Sequence, residues 1–588
     1  MKFSPLANLG LIMLAALPFV GQPAAAQDRL PEYLQCEKFT LDKLQSMVFS
    51  TAVTPNWLPS GNSFWYNYKT SEGEHWYLVD PATRQKKEIF DNVQLAADLS
   101  EAMHDPYDAQ HLPIQNLKAT DEKTFTFEVK SSQPKQGAKK GSKEKETVYF
   151  SYDVPSRTIT RLTEDQKPLK RLDWGSVSPD GKTVIYAKDL NLYKMSFEDY
   201  QKLRKNDKDS TITEIQITTD GVLNFGYGMP RNVLNTDTIC NGKRRGAYVT
   251  FAPDGKHFVA TLSDNRHVKD LWVINSLANP RPTLETYKYQ MPGEKENPIE
   301  HLYIFDTETG ARKEVNTSAF KDQTLSVNTA ERNPGDAVCG YRTSVWTGDN
   351  QRFYITRTSR DLKRIDICSY TLGQDTLVPV IEERLNTYID VLNIVSPNEG
   401  KEIVHWSERD GWGHLYLYSE DGKLKNRITK GAWHVEQIVR LDGKNRVIYF
   451  TASGRNQGEN PYYMHLYRCN LDGSGLKQLD EKNFFHEVDM TWNAGYFVDN
   501  YSRSDCAPVS ELRDAQGNKI MTLEKADLSQ LIAAGYKFPE IFKVKAGDGV
   551  TDLWGVMYKP FDFDSTKVYP IIDYVYPGPQ VEATYYPW

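Results

Sequence analysis

The feature that most constrains this chain is a repeat of short strands and Asp-Gly turns from about residue 50 to 520. Segments rich in Tyr, Val, Ile, Phe and Trp alternate with turns, and Asp-Gly recurs at 180–181, 254–255, 421–422, 442–443 and 472–473. Between apolar runs, Gly supplies the positive φ that two-residue hairpins need. Long helical periodicity is nearly absent there, so we expect many small antiparallel sheets.

The strands after these turns follow a common order. A first set reads TVIYA at 183–187 and HFVAT at 257–261, and a second reads NLYKM at 191–195, HLYIFD at 301–306, HLYLY at 414–418 and HLYRC at 465–469. Repeated four-stranded units of roughly 40–60 residues are typical of a β-propeller, here with seven or eight blades. A string of β-sandwiches is the rival, but no linker rich in Pro, Ser or Gly interrupts residues 150–520.

The first 26 residues have the pattern of an export signal. Lys2 is followed by an apolar stretch from Leu6 to Val20 and by small residues up to Ala26, which is the signal-peptide order. We therefore expect an exported protein, periplasmic or secreted after cleavage near Ala26. The apolar stretch is short and interrupted, and no later segment is apolar enough to cross a bilayer, so no membrane span is expected.

Charge and cysteine spacing exclude several partners. The net charge of −7 gives no reason to expect nucleic acid or an anionic membrane. No spacing among the six cysteines is typical of a metal site, so we expect neither metal nor cofactor. Free buried thiols and one or two disulfides both remain open. The cysteines are Cys36, Cys240, Cys339, Cys368, Cys469 and Cys506.

Two segments depart from the repeat. Residues 131–146 are rich in Lys, Ser and Gly and lack an apolar anchor, which predicts a flexible loop between two strands. From about residue 522 we expect a helix over 523–534, a hairpin of 541–545 with 553–558, and a buried strand at 569–576. That last strand needs neighbours on both sides, and 12 residues follow Tyr576, too few to supply them.

Three stretches resemble the dipeptidyl peptidase IV-like branch of the prolyl oligopeptidase family. FTLDKL at 39–44, followed by NWLPSG at 56–61, resembles the entry into that family's propeller. WSERDGWGHLY at 406–416 resembles its late-blade motif, and YPIIDYVYPGP at 569–579 the start of its α/β-hydrolase domain. The resemblance implies a mostly β fold, a seven- or eight-bladed propeller followed by the incomplete beginning of an α/β-hydrolase domain.

The resemblance also implies a role for Tyr576, as the phenol that donates a hydrogen bond to the oxyanion of the reaction. An α/β-hydrolase nucleophile stands in Gly-x-Ser-x-Gly, followed by Asp and then His. That pentapeptide does not occur in this chain, and the family's Ser, Asp and His would fall beyond Trp588. We therefore expect a truncated, inactive form.

Two further patterns bear on specificity and catalysis. Dipeptidyl peptidases hold the substrate's ammonium group with a pair of Glu side chains, but the matching stretch at 220–228 contains no Glu. Substrate-binding residues therefore stay unassigned. His301, His414 and His465 each precede Leu-Tyr in a strand, a repeated position that indicates packing or turn capping rather than catalysis.

These observations divide the chain into a signal peptide at 1–26, a dipeptidyl peptidase IV-type propeller at 27–535 and the truncated start of a peptidase domain at 536–588. For a full-length relative the resemblance implies serine-type proteolysis of peptides, with the propeller gating access; a homodimer is compatible with this assignment. The alternative is a non-catalytic periplasmic propeller that binds peptides or a protein partner. Whether the chain is itself an enzyme stays open.

Overall fold

In the part of the chain that the structure describes, eight antiparallel sheets of three to five strands follow one another. The computed structural model describes residues 37, 39–58, 62–134, 145–170, 172–230, 233–320, 323–328, 346–347, 350–560, 562–575 and 587–588. We number the sheets 1 to 8 in chain order. Nearly every sheet consists of consecutive strands joined by short loops, which confirms the predicted repeat of strands and turns.

Sheets 1 to 4 occupy the first half of the repeat. Their strands are, in sheet 1, β1 (Asn56–Trp57), β2 (Phe64–Thr70), β3 (Gly73–Asp80) and β4 (Gln85–Glu88); in sheet 2, β5 (Gln115–Ala119), β6 (Thr124–Pro134), β7 (Lys145–Asp153) and β8 (Thr158–Arg161); in sheet 3, β9 (Ser176–Val177), β10 (Thr183–Lys188), β11 (Asn191–Ser196), β12 (Ile215–Gln216) and β13 (Arg244–Arg245); and in sheet 4, β14 (Thr250–Phe251), β15 (His257–Asp264), β18 (Ile299–Asp306) and β19 (Arg312–Val315).

Sheets 5 to 8 complete the repeat. Their strands are, in sheet 5, β20 (Gln323–Val327), β21 (Arg352–Ser359), β22 (Arg364–Thr371) and β23 (Val378–Arg384); in sheet 6, β24 (Glu402–Ser407), β25 (His414–Ser419) and β26 (Leu424–Arg427); in sheet 7, β27 (His434–Asp442), β28 (Val447–Ser453), β29 (His465–Asn470) and β30 (Lys477–Gln478); and in sheet 8, β31 (Phe485–Met490), β32 (Tyr496–Arg503), β33 (Cys506–Asp514) and β34 (Lys519–Lys525).

Two hairpins and a few short helices lie outside these sheets. The arm hairpin pairs β16 (Asp270–Asn275) with β17 (Thr283–Lys288) and is inserted in the chain between β15 and β18 of sheet 4. The C-terminal hairpin pairs β35 (Glu540–Lys545) with β36 (Asp552–Met557). The helices are α1 (Leu41–Met47), α2 (Asn92–Met103), α3 (Phe197–Lys205) and α4 (Ser529–Ala533), with 3₁₀ turns at Ser318–Phe320 and Asn398–Gly400.

Each sheet is sandwiched between its neighbours, and sheet 6 shows how the sequence specifies this. Every residue of β24 is buried, and so are the first five of β25. Val404 and Leu415 pack with sheet 7, whereas Ile403 and Tyr416 pack with sheet 5. Because successive strand residues point to opposite faces, an unbroken apolar strand provides contacts to both neighbours. Sheet-on-sheet packing thus explains the runs of Tyr, Val and Ile.

The first sheet packs against the last. Phe64 and Tyr66 of sheet 1 share an apolar cluster with Val498 and Leu512 of sheet 8. The Tyr66 hydroxyl donates to Glu524 at 2.7 Å. A row of sheets whose ends meet is the closed, radial arrangement of a propeller, which leaves few exposed sheet edges. The contact confirms the predicted mostly β, propeller-like fold; the number of blades stays a prediction.

The Asp-Gly turns form as hairpins, but they are longer than predicted. Three residues lie between Asn470 and Ser474, where the Asn470 amide donates to the Ser474 carbonyl at 2.9 Å. Gly181, Gly255, Gly422 and Gly473 have the expected positive φ. At the turn after Asp442, however, Arg446 rather than Gly443 has a positive φ, of 55°. A four-residue loop places the left-handed position at its end, so the prediction for Gly443 is wrong.

The helix predicted over 523–534 is confirmed only in its second half. Residues 519–525 form β34 on the edge of sheet 8, with Leu512 opposite Met521, and only Ser529–Ala533 is helical. Strand pairing and burial outweigh the intrinsic helix preference of Leu, Glu and Lys. The predicted hairpin of 541–545 with 553–558 is confirmed.

The strand predicted at 569–576 does not form in its described part. Residues 569–575 have no regular secondary structure, and Ile571 and Ile572 are 93% and 92% exposed. No described strand lies beside them to accept their backbone hydrogen bonds, and an unpaired strand is not stable alone.

Several predictions concern residues outside the described ranges: the signal peptide, the loop tip at 135–144, Cys36, Cys339 and Tyr576. The strands on either side of the loop do pair, with Pro134 opposite Lys145. The four described cysteines, Cys240, Cys368, Cys469 and Cys506, are free thiols.

Candidate functional site

The two ends of the sheets carry different chemistry. The Asp-Gly turns join the first two strands of sheets 3, 4 and 7 and the last two strands of sheets 6 and 7, and therefore lie at one end. The loops between the second and third strands of sheets 4 and 7, and the loop between the first two strands of the three-stranded sheet 6, leave the opposite end, which we call the loop face. It carries loop 265–298 of sheet 4, loop 408–413 of sheet 6 and loop 454–464 of sheet 7. Long loops on a rigid scaffold are the usual place for binding residues.

A buried carboxylate lies between sheets 5 and 6 at the loop face. Glu383, at the end of β23, accepts hydrogen bonds from the Ser407 hydroxyl at 2.7 Å and the Arg409 guanidinium at 2.9 Å. His405 Nε2 lies 3.4 Å from the same carboxylate. Burial opposes ionisation of Glu383, but these bonds and the Arg409 charge outweigh it and lower the pKa. Glu383 is therefore an anion that fixes the start of loop 408–413.

Glu383, His405 and Ser407 are the residue types of a hydrolase triad, but their geometry is different. A serine nucleophile needs an imidazole that accepts its proton. Here the Ser407 hydroxyl donates to Glu383 and accepts from Arg409 Nε at 2.8 Å, so it does not bond the imidazole. The cluster anchors a loop rather than activating a nucleophile.

The late-blade motif at 406–416 is explained by local contacts that also fix loop 408–413. Trp406 Nε1 donates to the Val435 carbonyl at 2.8 Å, which ties sheet 6 to sheet 7. The Tyr416 hydroxyl donates to Asp410 at 2.8 Å across the loop. A Cβ on Gly413 would lie 2.5 Å from the Trp406 ring, so only Gly fits there. The motif builds the loop face.

The three strand-opening histidines share one structural position. His301, His414 and His465 each lie on the last strand but one of their sheet, and each contacts a polar side chain on or just after the last strand. The partners are Glu314 at 2.7 Å, Thr429 at 3.0 Å and Asp480 at 2.8 Å. These contacts agree with the predicted packing and capping role.

A network of buried charges connects His465 to sheet 8. Asp480 follows β30, accepts from His465 and lies 3.9 Å from Nδ1 of His486. His486 also contacts Asp499 at 2.8 Å, and Asp499 in turn contacts Arg513 at 3.1 Å. The network is completed by Glu459, 3.2 Å from His465, and by Glu511, 2.7 Å from Arg513. Opposite charges alternate along the chain of contacts.

The same network includes three side chains whose ligand atoms lie within 4.8 Å of one another: His465, Asp480 and His486. A metal would require free lone pairs on the imidazoles. Both nitrogens of His486 instead face oxygen acceptors, Asp499 at 2.8 Å and the Glu481 carbonyl at 2.9 Å. That donor set fits a protonated imidazole, so the cluster is a salt-bridge network.

Burial acts on His414 and His465 alike, but their acidic surroundings differ. Burial lowers the pKa of His414, and the Arg427 charge adds to the effect. Burial also opposes protonation of His465, but hydrogen bonds to Asp480 and Glu459 outweigh it and raise the pKa to about 9. The pKa of His486 is raised as well, with burial outweighed by Asp499 and Asp480.

We expect alkaline pH to destabilise the protein through this network. Because the folded pKa of His465 lies above its ordinary 6.5, its stabilising effect is complete below that pH and is lost as pH rises through about 9. A shift of this size corresponds to about 3 kcal/mol. Urea unfolding between pH 6 and 9.5 should show the loss before most Lys and Tyr side chains titrate. A constant free energy of unfolding over that range would contradict it.

The sequence pointed to two further site positions, Tyr576 and the stretch at 220–228, and the structure describes only the second. Tyr576 lies outside the described residues. The stretch at 220–228, where a Glu pair would be expected, packs between sheets 3 and 4: Tyr227 is buried, and Asp220 forms a two-bond ion pair with Arg312 at 3.1 and 2.7 Å. The only carboxylate of this stretch is therefore already paired.

The closed row of sheets, with its polar loop face, defines a propeller-type β region, and comparison with known families agrees. The family model of the dipeptidyl peptidase IV (DPP IV) N-terminal region matches residues 135–508, which is more than half of the chain. This chain belongs to that family, which confirms the resemblance inferred from its motifs.

Two of the curated relatives are named dipeptidyl peptidase 4. Dipeptidyl peptidase 4 of Trichophyton rubrum is 24% identical over 457 residues, covering 75% of this chain and 54% of the relative. Dipeptidyl peptidase 4 of Arthroderma otae is 24% identical over 458 residues, with the same coverage of 75% and 54%. The chain thus spans about half the length of the curated relatives it matches.

A solved structure shows the same fold. The crystal structure of Porphyromonas gingivalis dipeptidyl peptidase 4 aligns with a TM-score of 0.58 and 19% identity, covering 90% of this chain and 68% of that one. Among the residues that the structure describes, no helix is both long and apolar enough to cross a membrane.

Proposed function

We propose that this chain contains the propeller of an exported serine peptidase of the dipeptidyl peptidase IV type. The observation that carries the proposal is the family match over residues 135–508, supported by the contact between sheets 1 and 8. In such an enzyme the propeller would admit peptides to a hydrolase domain, and Tyr576 would donate to the oxyanion. Export is proposed from the sequence pattern of residues 1–26.

We also propose that the chain of 588 residues does not itself hydrolyse peptides. The support is chemical: the sequence contains no Gly-x-Ser-x-Gly, and in the Glu383 cluster Ser407 bonds a carboxylate rather than an imidazole. Without a nucleophile and its base, little of the rate enhancement can remain. The alternative is a non-catalytic propeller that binds peptides or a protein partner.

The mass and activity of the native protein test these proposals. We expect the exported protein, isolated from its source cells, to exceed 588 residues and to hydrolyse Gly-Pro-p-nitroanilide, whereas the recombinant chain does not. Succinyl-Gly-Pro-p-nitroanilide, which lacks the free ammonium, reports whether the absent Glu pair relaxes the need for an amino terminus. An abundant native species no longer than the recombinant chain, and without activity, would instead support the non-catalytic propeller.

The arm hairpin supports a second proposal, that two copies of the chain pair through it. Trp272, Ile274 and Leu284 are exposed, and Ile274 lies opposite Leu284 in the hairpin. Because neighbours across a strand pair and alternate residues along a strand share a face, the three side chains form one apolar face. A two-stranded hairpin is marginal alone, and an apolar face is complementary to its own copy about a two-fold axis.

We expect Trp272→Ser to convert a dimer into a monomer, because it removes the largest side chain of this face. Sedimentation equilibrium of the two proteins at equal concentration measures the change. Leu424→Ser, at an exposed position of β26, is the matched control and should leave the dimer intact. A monomeric wild-type protein, or a Trp272→Ser variant that remains dimeric, would exclude the arm as the contact.

A further inference from the structure

A cavity of about 290 Å³ opens at the loop face between sheets 4 and 5. One wall is the segment from Gln290 to Glu300, and the other consists of the start of β20 and the residues around Arg360. The Arg360 guanidinium donates to the carbonyls of Met291 and Glu294, at 2.9 and 3.2 Å, and to the Asn297 side chain at 3.0 Å. These bonds fix the first wall, so the cavity is preformed.

Two buried amide atoms in the cavity lining lack partners. Gln323, which is 7% exposed, has no hydrogen bond to its Oε1 from the described residues, and Gln290 has none from its Nε2. Leaving a buried polar group unpaired costs about 1–3 kcal/mol. Such groups call for a specific explanation, and a ligand that completes their bonding is one.

The other lining residues restrict the chemistry of that ligand. Glu300 places a carboxyl group in the wall, and burial raises its pKa against the effect of a hydrogen bond from Ser263. An anionic ligand would be repelled by the ionised carboxylate. Pro298 and Leu362 make part of the lining apolar, but a purely apolar ligand would leave both Gln side chains unpaired. An amide group offers a donor and an acceptor side by side.

We propose that this cavity binds a segment of peptide through one amide group, which accepts from Gln290 and donates to Gln323. If both carboxamides are turned, the donor and the acceptor exchange places, and one ligand amide still pairs with both side chains. With about 30 Å³ for each water, the cavity holds one or two residues rather than a long peptide. This inference rests on the proposed function, since it takes peptides as the ligand class.

The probe is N-acetyl-Ala-Ala-amide, which carries no charge at either end. We expect saturation-transfer NMR to show binding to the full chain, and Gln323→Leu to weaken it at least fivefold. Because an unpaired buried amide is replaced by an apolar group of similar shape, the variant should unfold at a temperature no lower than that of the wild type. Gln530→Leu, at an exposed position of α4, is the matched control and should bind as the wild type does.

Several outcomes would overturn the proposal. No transfer to the wild-type chain means that the cavity holds water only. Equal binding by Gln323→Leu places the probe elsewhere, and a lower unfolding temperature with unchanged binding makes Gln323 a structural residue. If Gln323→Leu does not fold, Gln290→Leu provides the same comparison in a less buried position. Because binding of a capped dipeptide requires no hydrolysis, its failure is distinguishable from failure of the peptidase proposal.

Discussion

Asp480→Asn should lower the free energy of unfolding at pH 7 by about 3–5 kcal/mol. The Asp480 carboxylate is fully buried and lies 2.8 Å from His465 and 3.9 Å from His486. Asparagine keeps the shape of the side chain but removes the charge shared by the two imidazoles. Breaking a buried ion pair on one side is costly because the remaining charge loses its compensation. Urea unfolding monitored by tryptophan fluorescence measures the change.

Asp375→Asn is the matched control for this experiment. Asp375 also pairs with a cation, Lys313 at 2.8 Å, but its side chain is 86% exposed. Exposed pairs contribute at most about 1 kcal/mol. If both variants lost the same small amount, the imidazoles of the buried network would have to be neutral. The pKa of His465 should also fall in Asp480→Asn, because the side chain 2.8 Å from its imidazole loses its charge.

The fold follows from the sequence largely because propeller strands are local. Each predicted strand with a Leu-Tyr core, such as 301–306 or 414–418, lies in a strand of the structure, since its partner is the next or previous segment of the chain. The predictions that failed depend on contacts outside the segment. The first residues of the helix predicted over 523–534 lie in β34 instead, because β33 offers a pairing edge, and 569–575 stays irregular because no described strand offers one.

The candidate sites were harder to predict. Glu383 and Asp480 each stand at or just after the end of a fourth strand, and their partners lie on the next sheet or on the preceding strand. A local signal existed in both cases, a carboxylate at the end of an apolar outer strand. Sequence spacing does not predict which cation pairs with the carboxylate, because the pairing depends on how adjacent sheets stack. The unpaired amides of Gln290 and Gln323 have no sequence signal at all.

Gly422→Ala should destabilise the protein by about 2–5 kcal/mol, the second large effect we expect. Gly422 stands in the Asp-Gly turn of sheet 6 with a φ of +81°. A residue with a Cβ loses about 1–2 kcal/mol in that conformation. In addition, a Cβ at this position would lie 1.7 Å from the Val380 carbonyl oxygen of sheet 5. The backbone of one sheet would have to move, and overpacking of this kind costs about 1–3 kcal/mol more.

Gly181→Ala separates the two causes of that loss. Like Gly422, Gly181 directly follows the Asp of an Asp-Gly turn, here in sheet 3, and its φ is +70°. A Cβ added to Gly181 would meet nothing within 4 Å. Gly181→Ala should therefore show only the conformational cost, about 1–2 kcal/mol, in the same urea unfolding experiment. The difference between the two variants measures the close approach of sheets 5 and 6. Equal losses would mean that the turn of sheet 6 does not touch its neighbour, and that the tight stacking of these two sheets is wrong.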